Sequence, residues 1–387
     1  MSRLGLPMAL AKLGQSTAAQ MARVPERKTT VSIEGDDFLI NGRPSYEGRT
    51  WEGHRIEGLL LNSRMVQGIF DDECRQTRHL WAYPDTGKWE PERNTREFVE
   101  AMPEWRAHGL LSFTINLQGG GHIYLKPYPY DLYVNSAYTP DGALKPAYMA
   151  RLGAILDRAD ELGMAPVLSL SYFGVDRRYI EGPDAVRFMC DGVVDWLAEA
   201  GYRNVLLEIT NEKMAIATKT DEVSVFELID RVRQRWAERR PDDPQLLVST
   251  SHGGGGAIPS RPLLRVADFV LLHGNGQSPE SHVRMIEVTR KLIDEIRGSP
   301  DALPIVFNEA GPWWDVESMN DWMRAFRECV ARHVSWGYFD QGTGEIHDEK
   351  RIDEVYVTGY QTPPVNWGIN TPEKQRFFAE LKEITGS

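Results

Sequence analysis

The chain is poor in cysteine and has no long hydrophobic run. Its three cysteines, Cys74, Cys190 and Cys329, stand far apart among 387 residues and form no CxxC pair. That pattern argues against a disulfide framework and against a cysteine-rich metal site. It fits a reducing compartment, so a cytoplasmic location is expected. The opening MSRLGLPMALAKLG breaks up its apolar positions, so no signal-peptide core develops, and no run is long enough to span a bilayer. An excess of basic charge is missing too. With 56 acidic against 44 basic residues the formal charge is -12 and no Lys/Arg-rich stripe appears, which makes nucleic acid and anionic membrane poor default partners. Motifs of other chemistries are absent. The glycine runs SHGGGG and LQGGGH are neither GxGxxG nor GxxxxGK[ST] and read as flexible loops, and HExxH and GxSxG do not occur.

What is present is a globular composition, 41% hydrophobic and 10% aromatic, with 34 glycines and 23 prolines for ordered loops. Residues 1–28 lack a sustained core period and read as a mobile arm or surface strap. TTVSIEGDDFLINGRPSYEG then alternates apolar and polar groups around glycine turns, which predicts a small hairpin able to cap a barrel bottom. From Ser45 onward, short apolar runs recur. PSYEGR reads as the end of a first strand, followed by LLSFTIN, APVLSLS, NVLLEI, QLLVSTS, DFVLLH, LPIVFN and HVSWGYF. Amphipathic stretches such as PAYMARLGAILDRADELG and DEVSVFELIDRVRQRWAERR lie between them. In the latter, Val225, Leu228, Ile229 and Val232 recur at helical spacing.

Eight short strands with intervening helices predict an α/β fold, a (β/α)8 TIM barrel with an N-terminal β-hairpin and large loop inserts, forming one domain over 29–387. The inserts are read in RTWEGHRIEGLLLNSRMVQG and in the tyrosine-rich HIYLKPYPYDLYVNSAYTPDG.

Two of the strands end alike. LLEITNE stops at Asn211 and Glu212, and LPIVFNE stops at Asn308 and Glu309. At the C-terminal ends of barrel strands four and seven, both glutamates would face one cavity. A protonated carboxyl that donates to a glycosidic oxygen, opposite an ionised one that attacks the anomeric carbon, is the pair that retaining hydrolysis needs.

On LLEITNE, LPIVFNEAG and the aromatic end SWGYFD, the chain resembles the clan of retaining barrel glycoside hydrolases that includes family 5 cellulases and related β-glycosidases. The likeness runs from about Ser45 to Phe339. It implies that Glu212 is the acid/base, Asn211 its substrate-binding neighbour, Glu309 the nucleophile and Trp336 an aromatic sugar platform. His273, in LLHGNG, stands where the clan has a strand-six histidine, but Asn275 occupies the position of an aromatic two residues on. The clan arginine at the end of strand two is not evident in LLSFTINLQGG, and Arg49 is the candidate to replace it.

Further substrate contacts are expected from Asn116, His252, Glu47, Trp51, Trp313 and Trp314, since tryptophans offer apolar faces to sugar C–H surfaces. Tyr124, Tyr128, Tyr130, Tyr133 and Tyr138 would build a mouth loop. His252, His273, Asp340 and His347 share no compact spacing, so no metal is expected, and the chemistry requires no organic cofactor. The expected partner is a carbohydrate substrate, a soluble oligosaccharide or small glycoside. A noncatalytic carbohydrate-binding barrel and a barrel enzyme of different chemistry are the alternatives.

Overall fold

The structure is a computed structural model that describes residues 26–119, 133–172, 179–212, 223–298, 302–311, 319–340 and 359–387. It opens with a small antiparallel sheet, β1 (Val31–Glu34), β2 (Asp37–Ile40) and β3 (Arg43–Pro44), so the expected hairpin has a third, two-residue strand. The β2–β3 turn is made by Asn41 and Gly42, both at positive φ, as a tight turn matched to strand twist requires. A second hairpin, β4 (Thr50–Trp51) and β5 (His54–Arg55), follows.

The barrel strands are β6 (Asn62–Arg64), β7 (Ser112–Asn116), β8 (Val167–Tyr172), β9 (Leu206–Asn211), β10 (Leu247–Ser249), β11 (Val270–His273), β12 (Ile305–Glu309) and β13 (Gly337–Tyr338). They pair in parallel from β6 through β10, and β13 returns to β6. Parallel bridges Ser251–Leu271, Val306–Ser335 and Ala310–Tyr338 join the remaining edges, so the eight strands form a closed ring. Helices cross between successive strands: α1 (Pro91–Ala107), α2 (Pro146–Leu162), α3 (Pro183–Ala200), α4 (Val225–Arg239), α5 (Arg261–Val266), α6 (Pro279–Arg297) and α7 (Met319–Ala331), with α8 (Pro372–Thr385) after the last strand. The expected (β/α)8 barrel is the observed fold. Among the described residues, no helix is long and apolar enough to cross a membrane.

The first strand was misplaced in the sequence reading. PSYEGR is a turn, because Tyr46 and Gly48 take left-handed φ and the Arg49 N–H closes back on the Tyr46 carbonyl. The true first strand lies in GLLLNSR, inside the segment expected to be an insert. The insert proper is the stretch between β6 and α1, where Phe70, Trp81, Tyr83 and Trp89 pack with Tyr133. Asp72 pins it: its carboxylate accepts from Trp81 Nε1 at 2.7 Å, Thr77 Oγ1 at 2.6 Å and the Val134 N–H at 3.0 Å. Tyr133 and Tyr138 are buried packing residues, while Tyr124, Tyr128 and Tyr130 fall outside the described residues.

Alternation along the strands sorts the core into two shells. Leu207 and Ile209 of β9, for instance, pack outward among the helices, whereas Leu206 joins Val167, Leu247, Phe269 and Val306 in a floor at the N-terminal end of the barrel. Phe38 of β2 is fully buried in that floor, edge-on to Phe269, so the small sheet closes the bottom. Burying its ring contributes about 1.5–3 kcal/mol. The end of the arm is tied down as well: Lys28 and Thr29 N–H groups donate to the Asp160 carboxylate at 2.8–3.0 Å, and Arg27 pairs with Asp157 at 2.6 Å. Residues 1–25 of the expected arm fall outside the described residues.

Candidate active site

Above the apolar floor the barrel interior turns polar. Asn62, Thr114, Asn116, Ser169, Glu208, Ser249 and Asn308 are all essentially inaccessible, and Asn116, Ser169, Glu208 and Ser249 stand in register across β7, β8, β9 and β10. Such a layer is costly unless it supports something polar above it. What it supports is a cluster at the C-terminal ends of the strands.

Glu212 leaves β9 in the left-handed region, with φ of 51°, a strain of about 1–2 kcal/mol for a residue with a side chain. The Ser251 hydroxyl holds the turn by accepting the Glu212 N–H at 2.9 Å. On the far side, a register shift at Leu272/His273 skips Asn308 and sets Glu309 opposite His273. The two glutamates thereby converge: an oxygen of each and His273 Nδ1 lie within 4.8 Å of one another. His273 Nδ1 is 2.8 Å from Glu212 Oε1 and 3.4 Å from Glu309 Oε2.

Their surroundings differ. Glu309 is paired with Arg64, whose Nε lies 2.9 Å from its Oε2, and it accepts from Asn275 Nδ2 at 3.0 Å. Among the described residues, Glu212 receives the Gly254 N–H at 3.0 Å and pairs with no arginine. Burial pushes both carboxyls above the ordinary glutamate value. Arg64 opposes this for both, His273 also opposes it for Glu309, and the charges of Glu212 and Glu208 add to the rise at Glu309. The guanidinium and the side-chain amide of Asn275 bear on Glu309, and the backbone N–H of Gly254 bears on Glu212. His273 is driven toward the neutral form by burial, with Arg64 adding to the effect.

Among the described residues, two clusters could offer ligands to a cation, Glu212–His273–Glu309 and Asp36–Asp37–His333. Each already contains an arginine: Arg64 on Glu309, and Arg55 on Asp37 at 2.6 Å.

Many solved structures are similar in fold, among them the three that follow. A mutant of the glycoside hydrolase family 5 mannosidase from Rhizomucor miehei superposes with a TM-score of 0.54 at 14% identity, covering 93% of this chain and 99% of its own. A second mutant of that mannosidase, in complex with mannosyl-fructose, gives 0.52 at 14% identity over 92% and 98%. A structure described only as a glycoside hydrolase gives 0.50 at 12% identity over 91% and 73%. The chain shares its fold with family 5 glycoside hydrolases. No family model matches the sequence, and no curated protein does.

Of the residues singled out in the sequence, the barrel brings Glu212, Glu309, Asn211 and His273 into one cluster, Asn211 through its Oδ1, which accepts from Arg64 Nη2 at 2.9 Å. Asn116 lies in the polar layer beneath. His252 Nε2 accepts the Ser260 N–H at 3.3 Å within its own loop, and the neighbouring Ser251 is the residue that touches Glu212.

Four expectations need correction. Arg49 does not stand in for an arginine at the mouth: it donates to the Ile384 and Glu383 carbonyls of α8 at 2.8 and 2.6 Å, because it belongs to the turn after β3. Trp51 sits beside it, its Nε1 3.5 Å from Glu383, and Glu47 pairs with Arg43. Trp336 is 1% exposed and stacks on Phe326 in the helix layer. At this end of the barrel it is Gly337 that faces inward, against Asn62, so Trp336 points outward and Phe339 reaches the site, its ring 5.5 Å from Arg64 Cζ. Trp313 and Trp314 fall outside the described residues.

The sequence reading missed Arg64, Asn275 and Glu208. Arg64 carried a usable signal, since LLLNSR is an apolar run that stops at polar groups just as LLEITNE does. Asn275 stands where the clan resemblance implies an aromatic, which hides its contact with Glu309.

Proposed function

We propose that the chain is a retaining β-glycoside hydrolase acting on soluble oligosaccharides or small glycosides, with residues 29–387 as one catalytic unit. The reading rests on the convergence of Glu212 and Glu309, an oxygen of each lying within 4.8 Å of the other, in unlike surroundings. Retention calls for carboxyls about 5–5.5 Å apart, and inversion for about 6.5–9.5 Å to admit a water; the close approach supports the former. Glu309, held as the anion by Arg64 and Asn275, attacks the anomeric carbon while the glycosidic C–O bond breaks and Glu212 gives its proton to the departing oxygen. Glu212 then takes a proton from water, whose oxygen attacks the same carbon and frees Glu309. Neutral His273 with its proton on Nδ1 donates to Glu212 Oε1, as does the Gly254 N–H, which leaves Oε2 to carry the transferable proton.

The test is NMR of the first-formed product on a panel of β-linked disaccharides and aryl β-glycosides. The panel begins with β-mannosides because two of the similar structures are of a mannosidase. Net inversion, or no product from any member, would sink the reading. Product length on longer soluble oligomers checks substrate size: single sugars released from one end support a small-substrate pocket, and early mid-chain cleavage of polymers contradicts it.

Glu212→Ala supplies a sharper check. Activity on a natural glycoside should fall about 10²–10⁴-fold, and markedly less on an aryl glycoside whose leaving group needs no proton. Added azide should restore part of the second step. Equal losses on both substrates without azide rescue would remove Glu212 from the acid/base role.

A further inference from the structure

The loops after β10 and β11 meet over the two carboxylates. Gly254, in the glycine run after β10, donates its N–H to Glu212 Oε1, and Asn275, after β11, donates its side-chain amide to Glu309 Oε1 at 3.0 Å. These two residues pack against each other. A Cβ at Gly254 would lie 3.1 Å from Asn275 Oδ1 and 3.3 Å from Glu212 Oε1, so a side chain there would push the two groups by a few tenths of an ångström. The segment around Asn275 is anchored on both sides by backbone bonds to the β12 end, Gly274 N–H to the Glu309 carbonyl at 2.7 Å and Gly276 N–H to the Gly311 carbonyl at 3.0 Å. Asn275 itself is 3% exposed.

We propose that Asn275 is a positioning residue for Glu309: with Gly254 it forms a cradle that gives each carboxylate one dedicated N–H donor, and its own amide keeps Glu309 ionised and fixes the plane of its carboxylate. The inference deepens the glycosidase reading and rests on it for its kinetic consequence. The geometry is one-sided in the right way, since a carboxylate accepts only and the facing Asn275 atom must be its NH₂. Arg64 holds Glu309 through Oε2 and Asn275 through Oε1, so both oxygens are fixed from opposite sides. Among the described residues, the other charged or titratable groups around Glu309 are Tyr172 from β8, Glu208 from β9, Glu212 just after it, and His273 from β11.

The test compares Asn275→Asp, which keeps the shape and removes the donor, with Asn275→Ala. Two readouts are taken: the pH profile of kcat/KM on an aryl β-glycoside with a good leaving group, and the ¹³C titration of the Glu309 carboxyl in glutamate-labelled protein, assigned with Glu309→Gln. In the alanine variant, the acidic limb and the Glu309 titration should both move up by about one to two pH units. The shift should be larger in the aspartate variant, where a second carboxylate faces the first. A loss of activity with both readouts unmoved would reduce Asn275 to packing and overturn the proposal, as would an aspartate variant that titrates like the parent. If no glycoside is hydrolysed, the functional reading fails on its own, and the Glu309 titration still decides whether Asn275 governs that carboxyl. Should the alanine variant not fold, the isosteric aspartate variant carries the test.

Discussion

Glu309→Ala should lower turnover on the order of 10⁵-fold or more, as deletions of a nucleophile that works in concert with its partner do, and it should also destabilise the protein. Deleting a polar group at a barrel rim would ordinarily leave the fold intact, but this one is 6% exposed and neutralises Arg64, itself 2% exposed. Removing one partner of a buried pair strands the other charge, at a cost of about 3–5 kcal/mol. Glu309→Gln separates the two effects. The amide keeps the volume and an acceptor for Arg64, so the melting temperature should recover most of the loss while turnover stays absent. Steady-state kinetics and thermal unfolding on both variants check this. A glutamine variant with more than about a hundredth of parental turnover would mean that Glu309 is not the nucleophile.

That coupling of stability to chemistry was hidden in the sequence, although the framework around it was legible. Seven of the eight barrel strands could be found from apolar runs that end in polar residues, and Glu212 and Glu309 followed from the two that end in Asn-Glu. The first strand escaped because only Asn62, Ser63 and Arg64 are in strand geometry, and the neighbouring PSYEGR imitated a strand end. Helix α1 is hidden by Pro103, since a proline inside a helix ordinarily ends one, and α5 by its length of only six residues. Side-chain direction was the harder limit. On a strand, one residue of phase exchanges the inside for the outside, and at SWGYF that phase is set by contact between Gly337 and Asn62, which residue spacing does not encode. Because PSYEGR imitates a strand end, Arg49 of that turn is expected to replace the clan arginine at the mouth, whereas Arg64 is the arginine found beside Glu309.

Arg64 therefore carries the second large expectation. Its guanidinium binds Glu309 through Nε and Asn211 through Nη2, each at 2.9 Å, and its charge lowers the proton affinity of both catalytic candidates. Arg64→Met should reduce kcat/KM about 10²–10³-fold, the range for loss of one preorganised donor. It should also shift both limbs of the pH profile upward. The acidic limb rises because Glu309 loses the cation that favours its anion, by about 1–3 units for an adjacent arginine, and the basic limb rises because Glu212 holds its proton longer. Arg64→Lys should recover only part of the rate, since a point charge cannot serve Glu309 and Asn211 with one planar fork. Stability supplies an independent check with a definite sign. In the methionine variant the folded-state value of Glu309 moves further above the ordinary value of 4.5. The folded state then binds protons that the unfolded chain releases, and the stability deficit relative to the parent should be small near pH 4 and widen as pH rises. Limbs that stay in place, or a deficit that shrinks with rising pH, would show that Arg64 packs against the site without setting its charge.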